Sequence, residues 1–192
     1  MKADSDARVL KLTSPELGGF PFIYMEHIER LALRPEEITA LRQYLTNGGV
    51  LLVNDFWGAL AWQNLRTEMN RVLAGRKWTE LSIEHPIFHC VYDLRGPMSH
   101  LRVPSMQRWN RAYNPDDANS NPTNSHQGEG YETMHVQALF DDRQRISVLA
   151  IHNSDISDGW EREGEHEDNF NVFSEARAYP LGINLIFYFM TH

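Results

Sequence analysis

Four consecutive branched residues, Val50-Leu-Leu-Val53, stand between Asn47-Gly48-Gly49 and Asn54-Asp55. An apolar run this short, bounded by turn residues and without polar alternation, reads as a strand covered on both faces, as in a parallel sheet. Its flanks extend the pattern. Phe20-Pro-Phe-Ile-Tyr-Met25 reads as a strand. Arg34 to Leu45 has Pro35 in a first-turn position, Glu36 and Glu37 beside the positive helix end, and Ile38, Leu41, Tyr44 and Leu45 at helical spacing. The two glycines stop that helix, so the front of the chain is a strand–helix–strand unit and the class is α/β.

Further elements follow in order. Val9 to Leu12 reads as a short strand, and Ala59 to Leu73 as a helix with Leu60, Leu65, Met69, Val72 and Leu73 on one stripe. His135-Val-Gln-Ala-Leu-Phe140, a turn at Asp141-Asp142, and Arg145-Ile-Ser-Val-Leu-Ala-Ile151 read as a hairpin, so the sheet is expected to be mixed though largely parallel. Pro180 to Met190 is apolar nearly all round and reads as a buried C-terminal helix. From about residue 95 to 130 the composition turns to Pro, Asn, Ser, Gly and Asp, with Trp109 and Tyr113 as isolated large apolar residues. Loops beyond about 12 to 15 residues are uncommon in compact domains, so this insertion in a single domain is either a lid or passive wrapping.

With 192 residues, 42% of them hydrophobic, the chain can bury one core without disulfides. Its 18 basic against 26 acidic residues give a net charge of −8, which removes any general attraction to phosphate backbones and sets nucleic acid aside as a partner. No apolar run approaches the roughly 18 to 20 residues of a membrane span, so no membrane insertion is expected. The sequence leaves the oligomeric state open.

In open α/β sheets ligands bind beyond the carboxyl ends of the strands. Here those positions hold Glu26-His27, Asn54-Asp55-Phe56-Trp57-Gly58, and His152-Asn153-Ser154-Asp155 running on to Asp158-Gly159-Trp160-Glu161. Asp55 can cap the following helix, contact a ligand, or do both, and Asn54 shares those alternatives. His152, Asp155 and Asp158 offer one imidazole and two carboxylates to a divalent cation, or make turn hydrogen bonds around Gly159; their spacing matches no metal signature and no cofactor is expected. Trp57 and Trp160 suit a sugar or aromatic partner, or pack beneath the loop. The acidic run from Glu161 to Asp168 is a solvated face that also deepens the negative potential, which favours a cationic ligand unless Arg108, Arg111, Arg143 or Arg145 reaches in. Cys90, near His85 and His89, has bulky neighbours and reads as a buried structural thiol.

Phe20-Pro-Phe-Ile-Tyr-Met25, Leu41-Arg-Gln-Tyr-Leu-Thr-Asn-Gly-Gly49, Val53-Asn-Asp-Phe-Trp-Gly58, Glu84-His-Pro-Ile-Phe-His89, His152-Asn-Ser-Asp155, Asp158-Gly-Trp-Glu161 and Gly182-Ile-Asn184, in that order, resemble the bacterial domain of unknown function number 4159. The resemblance spans nearly the whole chain. It implies a flavodoxin-like, class I glutamine amidotransferase-like three-layer sandwich and an extracytoplasmic setting. Relatives of that kind begin earlier, with a further strand and helix, so the chain looks shortened beside them. In amidotransferases the turn after the third strand carries a cysteine nucleophile. Here it reads Asn54-Asp55-Phe56, and glutaminyl thioester chemistry is not expected. Two functions follow as expectations. One is a non-catalytic module binding a small polar molecule or a protein partner through Glu26, Asn54, Asp55, Trp57, His152, Asn153, Asp155, Asp158, Trp160 and Glu161. The alternative is a metal-assisted hydrolase using Asp55 and the His152/Asp155/Asp158 loop, with Glu26 or His27 moving protons.

Overall fold

The computed structural model describes residues 8–112, 130–162 and 164–192. Five strands form one open sheet: β1 (Phe22–Met25), β2 (Val50–Val53), β3 (Thr79–Glu80), β4 (His135–Phe140) and β5 (Ile146–His152), in the spatial order β1-β2-β5-β4-β3. β2 is parallel to β1 on one side and to β5 on the other, which is why all four of its residues are buried. β4 is antiparallel to both β5 and β3. The sheet is therefore mixed: β4 alone runs against the other four strands, which makes two of the four pairings parallel and two antiparallel. The tight turn at Asp141 forces β4 and β5 to run antiparallel, and that hairpin lies inside the sheet, with β5 inserted beside β2.

Helix α1 (Pro35–Thr46) starts where Glu37 Oε2 accepts from Arg34 N at 2.9 Å, with the Arg34 guanidinium donating to Glu37 Oε1 at 2.8 Å. It ends at Gly48, whose φ of 102° only glycine adopts freely, and at Gly49, where a Cβ would stand 2.2 Å from the Tyr44 ring. Helix α2 (Gly58–Val72) buries Ala61, Leu65, Met69 and Val72. Leu60, expected on that stripe, is 82% exposed because Ala61 takes the inward position. These two helices cover Leu51, Val53, Val148 and Ala150 on one sheet face.

The opposite face, carrying Val50, Leu52, Val136, Leu149 and Ile151, is covered by the C-terminal helix and by residues 81–109. That helix begins at α5 (Glu167–Asn169), follows α4 (Asp158–Glu161), passes through a π-bonded stretch at Phe170–Ala178, and ends as α6 (Tyr179–Thr191). The sheet thus has a helical layer on each side, and each fully buried Leu or Phe contributes about 1.5–3 kcal/mol. α6 is not buried all round: Leu181, Leu185, Tyr188 and Phe189 face inward, whereas Ile183, Ile186, Phe187 and Met190 are 40–47% exposed.

Val9 to Leu12 is not a strand. Val9 is fully exposed, and the chain turns into a 3-10 segment at Pro15–Gly19. In the Pro- and Ser-rich region, α3 (Met106–Ala112) forms, and Leu101, Val103, Met106 and Trp109 join the core, so its first part is packed structure. Residues 113–129, with Tyr113, lie outside the described residues. Among the described residues no helix is long and apolar enough to cross a membrane.

Candidate functional site

β1 and β2 end in register, Met25 opposite Val53. Two residues farther on, His27 and Asp55 both take left-handed backbone, with φ of 51° and 47°; Asn153, just past β5, does the same at 60°. Each such residue costs about 1–2 kcal/mol relative to right-handed backbone. Three of them beyond adjacent parallel strands concentrate strain at one edge of the sheet. The two turns are tied together: His27 N donates to Asp55 O at 3.3 Å, and His27 Nδ1 stands 3.1 Å from Asp55 Oδ2.

Asp55 does not cap α2. Its Oδ1 accepts from the Trp57 indole at 2.8 Å, while the first helical amide, Gly58 N, donates to Asn153 Oδ1 at 2.9 Å. The Asp55 side chain is thereby released from capping and held inward. Asp155 lies near enough for the two carboxyls to act on each other electrostatically. Asp155 Oδ1 accepts from Ser157 Oγ at 2.7 Å and from Asp158 N at 3.0 Å, and Ser157 Oγ accepts from the Tyr24 hydroxyl at 2.9 Å. A hydrogen-bonded line therefore runs from a half-exposed phenol on β1 to a buried carboxyl beyond β5. Asp158 Oδ2 accepts from Met106 N at 2.6 Å, anchoring the start of α3.

Burial sets the electrostatics. Desolvation, then the charges of Asp55 and Asp158, push the Asp155 carboxyl far above the ordinary range, and desolvation raises Asp55 as well, opposed by Trp57 and His27. Two buried carboxyls that feel each other's charge cannot both ionise cheaply, so ionising one makes the other harder to ionise. Desolvation also raises Glu161, with smaller contributions from Glu26 and Asp158. Glu26, Asp55, Asp155, Asp158 and Glu161 thus feel one another across the strand ends, and Glu26 and Glu161 lie exposed at the rim.

The other candidates serve the scaffold. Asn153, fully buried, accepts from Gly58 N and donates to Gly130 O and Thr133 O at 2.7 and 2.6 Å. Asn54 is also fully buried; with its oxygen toward Tyr24 it accepts from Asp55 N at 2.9 Å and donates to Ser154 O at 3.1 Å. Trp160 donates to Ala178 O at 2.8 Å and lies over Gly182. Trp57 is stacked 6.5 Å from Tyr131. His152 bonds Gly58 O at 3.0 Å beside the Phe56 and Trp62 rings, where burial lowers its pKa to about 4 and keeps it neutral. His152, Asp155 and Asp158 accordingly do not converge. Among the described residues no group of three His, Cys, Asp or Glu side chains stands where it could hold a metal ion.

Tyr24, Ser157 and Arg102 escaped the sequence reading. Tyr24 sits in an apolar strand, Ser157 resembles any turn serine, and Arg102 lies in the Pro-rich region. Arg102 is nevertheless buried, donating to the carbonyls of Asn153, Tyr131 and Glu132 with its guanidinium 5.5 Å from the Trp57 ring. Arg145, by contrast, pairs with Asp141 at the hairpin turn. Cys90 is half-buried rather than buried; its thiol donates to Pro86 O, and desolvation raises its pKa, so it is a poor nucleophile.

A family model described as Domain of unknown function (DUF4159) matches residues 1–190. No curated protein matches the chain.

Proposed function

Because this chain belongs to that family of unknown function, we propose from its geometry that it is a binding module whose strand-end carboxyls hold a cationic group of a small polar molecule or a protein partner. The observation that carries this reading is the Asp55–Asp155 carboxyl pair, buried yet bordered by the exposed acids Glu26 and Glu161. An ammonium or guanidinium entering between the rim acids supplies the positive charge that lets the buried carboxyls ionise. The strained turns support the same reading, since left-handed non-glycine residues are retained where a site needs their geometry.

A flavodoxin-like, amidotransferase-like descent also belongs to this proposal. Parallel β1, β2 and β5, helices on both faces and the sharp turn from β2 into α2 support it. With Asp55 in that turn and Cys90 elsewhere, the ancestral pocket would serve recognition rather than glutamine hydrolysis. Titration calorimetry with short alkylamines and alkylguanidines tests it: wild type binds at least one, and Asp55→Asn weakens that binding about tenfold, equivalent to about 1.4 kcal/mol. Equal affinity in a folded Asp55→Asn protein, or no binding across the panel, would reject the site.

A further inference from the structure

We propose that the chain forms a two-fold symmetric dimer through the outward face of α6. This rests on surface residues other than the strand-end carboxyls and is independent of the binding reading above. Tyr179, Ile183, Ile186 and Met190 follow one another at spacings of four, three and four, the pattern of a helix–helix seam, and Phe187 flanks it. Ile183, Ile186, Phe187 and Met190 stay 40–47% exposed. Asn184 extends the surface sideways: its buried Oδ1 accepts from Val91 N and Tyr92 N at 3.0 and 2.8 Å, and its Nδ2 donates to Tyr92 O at 2.8 Å. That clamp holds Val91 and Tyr92, 52% and 44% exposed, beside the helix.

Taken with the fractional exposures, side-chain areas give roughly 500 Å² of apolar surface on this face. A stable interface removes about 800 Å² from each partner, somewhat more than half of it apolar, so the patch has the extent a dimer needs. Charge selects the occupant. From Tyr179 to Met190 there is no charged side chain, so the surface packed on it must be uncharged and must match a three–four spacing. The same helix of a second copy meets both conditions, and an isologous pairing needs only one such surface per chain. A bilayer suits it poorly: interfacial helices carry Lys and Arg beside their apolar face, and this chain has a net charge of −8.

Light scattering on the full chain from about 1 to about 100 µM reads the outcome. The wild-type chain should show twice the 22.3 kDa monomer mass. Ile183→Glu and Phe187→Glu should each return the monomer mass with the circular-dichroism melt retained. Ile186→Cys in a Cys90→Ser background should form an intermolecular disulfide under mild oxidant, which keeps the test open where a glutamate variant fails to fold. A wild-type monomer across the range overturns the dimer, as does a folded Ile183→Glu protein that still doubles its mass. A wild-type monomer that co-sediments with phosphatidylcholine vesicles overturns it in favour of a lipid surface.

Discussion

His27 Nδ1 stands 3.1 Å from Asp55 Oδ2, and the two residues hold left-handed backbone side by side beyond neighbouring parallel strands. Strain and buried charge at one spot oppose folding, so conservative removal of either should raise stability while weakening the site. His27→Gly relieves the positive φ and is expected to add about 1 kcal/mol, because the exposed imidazole contributes little as an ion-pair partner. Asp55→Asn tolerates the same backbone and is expected to gain about 1 kcal/mol at neutral pH by removing carboxyl repulsion. Urea melts check both; a loss of stability in each would mean that the turns are ordinary scaffold.

Asp155 has the opposite pH signature from a salt-bridged acid. Its folded pKa lies above its unfolded value, so its contribution is fully present below the ordinary carboxylate range and is lost as pH rises through the folded pKa. Thermal stability should fall between about pH 5 and about pH 9, and Asp155→Asn, which keeps an acceptor for Ser157 and Asp158 N, should flatten that slope and exceed wild type by about 2 kcal/mol at the alkaline end. An unchanged slope in Asp155→Asn would show that the carboxyl pair does not control it.

His152 governs the acid limb. Burial lowers its pKa from 6.5 to about 4, so the stability it supplies is present above the ordinary histidine value and is lost as pH falls through about 4, amounting to about 3 kcal/mol. His152→Phe keeps the stacking on Phe56 and Trp62 and should remove this limb. Chemical denaturation at stepped pH measures it; an identical acid loss in the variant would move the cause to another group.

Gly182 should invert the usual helix rule. Glycine to alanine inside a helix ordinarily gains up to about 1 kcal/mol, but a Cβ here would lie 2.3 Å from the Trp160 ring, itself held by Ala178 O. Gly182→Ala should therefore lose stability, by about 2 kcal/mol, and Trp160→Leu should recover part of the loss in the double variant. Additive single and double effects in calorimetric melts would refute the contact.

The chain announces its local elements clearly and its assembly poorly. Val50–Val53, α1 and the β4–β5 hairpin are legible because periodicity, Pro35 and Gly48-Gly49 act over a few residues. β3 was not expected, for a two-residue exposed strand exists only through its pairing with Ala138 and Gln137. The apparent strand at Val9 failed for the converse reason, having apolar residues but no partner. At the site, Asp55, Asp155 and Asp158 were named from their positions after strands. Which side chains turn inward was not legible: Asn153 rather than Asp55 meets α2, and that choice depends on β5 lying beside β2.

The order in which the ribosome releases the chain does not match the order of strands in the sheet. Val53 pairs with Ala150, so the nascent front portion waits with one side of its central strand bare until the hairpin has emerged. Folding is bound to this late closure, and aggregation through β2 is the hazard that precedes it. A chain cut before β5 would therefore keep α1 and α2 in sequence, but would lose both the strand that completes the sheet and the loop that supplies the second carboxyl.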